Sequence, residues 1–127
     1  MAEYRLGEVE MKFADIIWEN EPIASGELVK LSGQRLQWKK STTYTILKRL
    51  CEREIFQNVD GVVTSLISKE QFQLKKGEEF LDENYGGSLP SFVAAFASRK
   101  KLSKDDIAYL KKIIDGSCFH RSLGLLL

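Results

Sequence analysis

The stretch from Trp38 to Arg53, WKKSTTYTILKRLCER, gathers the side chains with the most chemistry to offer. Lys39, Lys40, Lys48 and Arg49 are cations. Ser41, Thr42 and Thr45 carry hydroxyls, and Tyr44 adds an aromatic ring with a polar tip. On a helix at about 100° per residue, Thr43, Ile46, Leu47 and Leu50 form one buried stripe, and Ser41, Tyr44, Thr45, Lys48 and Arg49 lie opposite. From Gly33 to Arg53 there are six basic residues and one acid, Glu52, whereas the first 32 residues hold seven acids against three bases. Charge is segregated although the whole chain is only +1. Attraction to a polyanion must therefore come from this patch and not from bulk charge. Cations for phosphates and small polar groups for base edges suit a helix in a DNA major groove. A solvated amphipathic helix would carry similar residues, so the surrounding elements decide between the two.

Covalent chemistry finds little footing. The one histidine, His120, lies in the tail, and the two cysteines, Cys51 and Cys118, are far apart. No nucleophile, base and orienting group suggest themselves, and there is no glycine-rich phosphate loop. Two thiols and one imidazole do not make a four-ligand metal site. Glu78, Glu79, Asp82 and Glu83 follow Lys75 and Lys76 as a solvated helix face would. The expectation is no enzyme, no cofactor and no metal. A length of 127 residues fits one domain, or two small ones sharing a core. No basic segment followed by an apolar one opens the chain, and no apolar run approaches the roughly 20 residues of a membrane span. A cytoplasmic location without membrane insertion is expected.

Stepping outward from the basic helix, residues 6 to 20 predict a first helix, with Val9, Phe13, Ile16 and Ile17 on one face. Pro22 ends it by disfavouring helical geometry in the preceding residue. Trp18 at helical spacing is a core residue. Ser25 is the expected N-cap of a short second helix ending near Gly33, with Leu28, Val29 and Leu31 inward. A turn at 34–37 leads into the basic helix, completing a helix-turn-helix. Asp60-Gly61 then separates two runs rich in β-branched and apolar residues. Both central residues of a type I′ turn need positive φ, so a hairpin is expected. Three helices followed by a hairpin is the order of a winged helix.

Three more helices follow. Ser68 with Gln71 forms a capping box, with Phe72, Phe80 and Leu81 apolar behind it and Gly86-Gly87 as the stop. Ser88 caps a helix with Leu89, Phe92, Val93 and Phe96 on one face, and Ser103 caps another with Ile107, Leu110, Ile113 and Ile114 inward, ended by Gly116. Fewer than about 60 residues bury too little surface to stand alone comfortably. Their apolar faces can fold back on the first domain or meet the same faces of a second chain. The second is expected, because helix-turn-helix proteins commonly read two half-sites as dimers. The interface would hold Phe80, Leu81, Tyr85, Leu89, Phe92, Phe96, Leu110 and Ile114. The expected fold is mainly α with a small β-hairpin: a winged helix-turn-helix over 1–68 and a helical dimerisation region over 69–127.

LGEVEMKFADIIWENEPIASGELVKL, then WKKSTTYTILKRL, the hairpin, and YGGSLPSFVAAF resemble the penicillinase-repressor (BlaI/MecI/CopY) family of bacterial transcriptional repressors, in this order over about residues 5 to 115. The resemblance implies a homodimer that binds a palindromic operator in double-stranded DNA. It implies base edges facing Ser41, Thr42, Tyr44 and Thr45, and phosphates held by Lys39, Lys40, Lys48 and Arg49. Some members are cleaved in the C-terminal region after a membrane sensor-protease detects a β-lactam, and others release DNA when copper binds. This chain departs from the pattern. Tyr44 stands where members often carry Lys or another polar residue. The wing tip, Asn58 to Gly61, lacks the usual basic or aromatic residues. The cleavage position falls on Ala95-Phe96 in place of Asn-Phe, and Cys118 stands alone where copper-responsive members have Cys-x-Cys pairs. The departure at Ala95 argues against proteolytic induction, so a response to another signal is expected. The neutral balance and bare wing keep one alternative, a winged helix that binds protein.

Overall fold

The computed structural model describes residues 5–99 and 101–116. In order these form α1 (Glu8–Asn20), β1 (Ile23–Ala24), α2 (Ser25–Leu36), α3 (Lys40–Glu52), β2 (Phe56–Val59), β3 (Val62–Ser65), α4 (Lys69–Asn84), α5 (Leu89–Arg99) and α6 (Lys104–Asp115). Expectations for the tail, including Cys118 and His120, fall outside the described residues.

The chain divides into two compact units, Met1–Gly87 and Ser88–Leu127. The first is a winged helix. α1, α2 and α3 enclose a core of Phe13, Ile17, Leu28, Leu47 and Leu50, closed by Ile55, Phe56 and Val63 from the sheet. The sheet order is β1-β3-β2, all antiparallel. Asp60 and Gly61 have φ of 52° and 80°, as the type I′ turn requires. α4 falls within this first compact unit. Its N-cap Ser68 accepts from the Gln71 amide at 3.1 Å while Gln71 accepts from the Ser68 amide at 3.1 Å. One turn on, Phe72 is fully buried with its ring centroid 5.5 Å from that of Trp18. Trp18 is half-buried, as a core residue with a polar tip should be, and its indole N–H donates to the Ile67 carbonyl at 3.1 Å. The Lys69–Asp15 and Arg5–Glu83 ion pairs tie α4 to the same unit.

Several local expectations are corrected. Val9 is exposed and Ala14 takes its place in the core, because the buried stripe of α1 is rotated towards α2 and the sheet. Ser25 is the first residue of α2, with Ala24 at the cap position. Its backbone is drawn into the helix by the pairing of β1 immediately before it. α2 runs past Gly33 to Leu36, and Gln37 in the left-handed region (φ 57°) ends it by donating its amide to the Ser32 carbonyl. β1 was not expected. Two residues carry no periodicity, and the strand exists through its pairing of Ile23 with Val63 and Ala24 with Val62.

The second unit holds α5 and α6. The Ser88 hydroxyl accepts from the Ser91 amide at 3.1 Å, and Ser103 with Asp106 forms a capping box. Neither helix has a buried residue among those described. Phe92 and Phe96 stack at 4.5 Å and, with Val93, Ala97, Leu102 and Leu110, line a groove of about 170 Å³.

Candidate nucleic-acid interface

α3 is built to present one face and bury the other. Thr43, Leu47 and Leu50 are buried, and Ile46 packs beside them. Ser41, Thr42, Thr45 and Lys48 are exposed on the far side, with Lys39 and Lys40 exposed at the N-terminal end. The helix starts at Lys40 without a side-chain cap. Two lysines at the positive end of a helix dipole are unfavourable to the free protein, and an anion bound there relieves both.

The six basic residues of this region separate by chemistry. Arg35 pairs with Glu19 at 3.3 Å, Arg49 with Glu10 at 3.6 Å, and Arg53 donates to the Arg5 carbonyl at 3.1 Å. Among the described residues, Lys39, Lys40 and Lys48 have no carboxylate within ion-pair distance. The arginines are engaged by the chain itself, and the lysines present their charge to solvent. Arg49 is exposed, with its guanidinium shared with Glu10 of α1.

The hydroxyls are also specialised. The Thr45 hydroxyl donates to the Ser41 carbonyl at 2.9 Å, so its proton is spent within the helix. What it offers outward is an acceptor and a methyl group. Thr43 makes the same back-bond to Lys39 at 3.2 Å, but from the buried side. Tyr44 does not project as the helical wheel suggests. Its ring is half-buried against the core and its hydroxyl donates to Ser25 Oγ at 3.1 Å. The wheel shows direction from the helix axis and cannot show that Ser25 of α2 meets the phenol at this position. The role of Ser25 carried no sequence signal, since a serine before a helix reads as a cap.

The wing tip is bare of cations. Asp60 is exposed, and Val59 and Val62, paired across the turn, are 55% and 43% exposed. Cys51 lies half-buried at the edge of the core, and burial pushes its thiol pKa up. It packs there as a small apolar side chain. Among the described residues, no group of three or more histidine, cysteine or carboxylate side chains is placed to hold a metal, and no helix is long and apolar enough to cross a membrane.

The eight residues expected at a dimer interface are all open to solvent in the single chain. Phe80, Leu89, Phe96, Leu110 and Ile114 are exposed, and Leu81, Tyr85 and Phe92 are half-buried. Phe80 on α4 and Tyr85, the residue that caps its C-terminal end, contact each other at 5.8 Å within the first unit. Leu81 also lies on α4, whereas Leu89, Phe92, Phe96, Leu110 and Ile114 fall on α5 and α6 in the second unit. Ala95 and Phe96 are exposed in the middle of α5, where the Ala95 carbonyl accepts from the Ser98 hydroxyl at 2.8 Å.

Three helices, the third basic and outward-facing, and a hairpin wing define a winged-helix protein of the transcription-regulating class. The penicillinase repressor family profile matches residues 6–116, and the chain belongs to that family. It is similar to the methicillin resistance regulatory protein MecI of Staphylococcus aureus (strain Mu50 / ATCC 700699), with 24% identity over 116 residues, 88% of this chain and 94% of that one. The penicillinase repressor of Staphylococcus aureus is 26% identical over 105 residues, 80% of this chain and 83% of its own length. MecI of Mammaliicoccus sciuri is 23% identical over 116 residues, with 88% and 94% covered. Members of the family are repressors and not enzymes.

Proposed function

We propose that this chain represses transcription as a homodimer, each protomer laying α3 in the major groove of one half of a palindromic operator. The observation that carries the reading is the division of the basic residues: Lys39, Lys40 and Lys48 lie beside exposed Ser41, Thr42 and Thr45, while the arginines are tied to their own chain. The lysines neutralise phosphates and set the register, and the small polar residues meet base edges. Because Thr45 offers an acceptor and a methyl, it suits a base amino group or a thymine methyl. The exposed apolar residues of α5 and α6 support pairing of two chains. Two linked half-sites then bind far more tightly than one. Induction by cleavage is not part of this reading. Proteases take extended segments, and the Ala95–Phe96 bond lies within α5.

The test is titration of a palindromic duplex, selected from a random pool, at several salt concentrations. Affinity should fall steeply as salt rises, because neutralised phosphates release counterions. Lys40→Ala should weaken all duplexes alike. Thr45→Ala should lower operator preference by about 1–3 kcal/mol. Binding insensitive to salt refutes the proposal. The competing reading, a protein-binding winged helix, draws on the wing tip with exposed Val59 and Val62 and no cation. It expects no duplex to be selected at all.

A further inference from the structure

Three separate elements meet at Ser25, the first residue of α2. Its hydroxyl accepts from Tyr44 on α3 at 3.1 Å. Its backbone amide donates to the carbonyl of Gly61, in the wing turn, at 2.8 Å. The two contacts use different atoms of one residue, so neither displaces the other. The Gly61 position lies against the same hydroxyl: a Cβ built there would be 4.0 Å from Ser25 Oγ. The wing is also tied at its root, where the Glu21 carboxylate accepts from both the amide and the hydroxyl of Ser65 at 2.8 Å. Between root and tip, β1 pairs with β3. The wing is thus anchored along its length to the chain that leads into α2. Beyond the shared apolar core, the Tyr44–Ser25 bond is, among the described residues, the one side-chain hydrogen bond that joins that anchored assembly to α3.

On the DNA-binding reading above, we propose that Tyr44 and Ser25 are a positioning pair that fixes the reading helix relative to the wing, and that Tyr44 reads no base. A phenol half-buried against the core with its proton committed to Ser25 has little left to offer a base edge. It can set the angle at which Ser41, Thr42 and Thr45 arrive. A fixed angle removes an ordering cost that would otherwise be met on binding. Loss of the pair should therefore weaken every operator by the same factor and leave the order of preference among bases untouched.

The experiment compares wild type, Tyr44→Phe, Ser25→Ala and the double variant. Ser25→Ala keeps the backbone amide and so keeps the bond to Gly61. The readouts are affinity for the selected operator and its single-base variants at one salt concentration, and amide hydrogen exchange over β2 and β3. Each single change should weaken operator binding by about three- to tenfold, the size of one lost neutral hydrogen bond. The double variant should be no weaker than the weaker single one, since both remove the same contact. All four base-preference profiles should superimpose, and exchange at the wing should quicken in all three variants while α6 is unchanged. A changed preference at one base position in Tyr44→Phe but not in Ser25→Ala overturns the proposal, as do additive losses. If wild type selects no duplex, the DNA-binding reading itself fails, and hydrogen exchange still decides the clamp: unchanged wing protection in the variants refutes it.

Discussion

Leu110→Asp offers a sharp test of how the second unit is completed. Leu110 lies in the α5–α6 groove with Phe92, Val93, Phe96, Ala97 and Leu102 and is 36% exposed in the single chain. If a second copy covers that groove, two-fold symmetry brings Leu110 of both protomers into one interface. The substitution then places two carboxylates there without partners. An uncompensated buried charge costs about 3 kcal/mol or more. Two such charges amount to about 6 kcal/mol, which raises the dimer dissociation constant by more than about 10⁴-fold. The cost within one chain is smaller, because the position still reaches water. Helical content should persist while association is lost. Sedimentation velocity at micromolar protein, with circular dichroism alongside, separates the two effects. A wild-type monomer, or a variant that dimerises as tightly as wild type, refutes the argument.

Phe72→Ala removes the one buried residue of α4 and should cost about 3–5 kcal/mol of stability, measured by urea unfolding; a loss under about 1 kcal/mol would mean that α4 is not held through this ring. Glu10→Gln should release Arg49 from its 3.6 Å ion pair, at modest cost to folding: Glu10 Oε2 is buried, but the Arg49 side chain stays half in water and a glutamine keeps the oxygen that accepts from the Gly7 amide. Operator affinity should then rise by about two- to fivefold and the salt dependence should steepen by about one phosphate. An unchanged slope would mean that Arg49 stays out of reach of the backbone.

Local sequence determined much of this molecule. The Ser68–Gln71 and Ser103–Asp106 pairs define helix starts, because the serine hydroxyl accepts from the backbone amide three residues on while that residue's side-chain oxygen accepts from the serine amide, whatever lies beyond. Asp60-Gly61 defines the hairpin, because few other pairs tolerate two positive φ values in a row. The buried side of α3 was legible for the same reason: Thr43, Leu47 and Leu50 recur at helical spacing. The exposed lysines and Thr45 were legible as candidates on the opposite face. What only the tertiary structure decided concerns residues whose partners are far along the chain. Glu10 takes Arg49 from 39 positions away, Ser25 takes Tyr44, and Phe72 meets Trp18 to bring α4 into the first unit. Periodicity records only which side of its own helix a residue occupies. A hydrogen bond or ion pair formed across elements depends on how those elements pack, and that packing is the sum of many weak apolar contacts with no pairwise mark in the sequence.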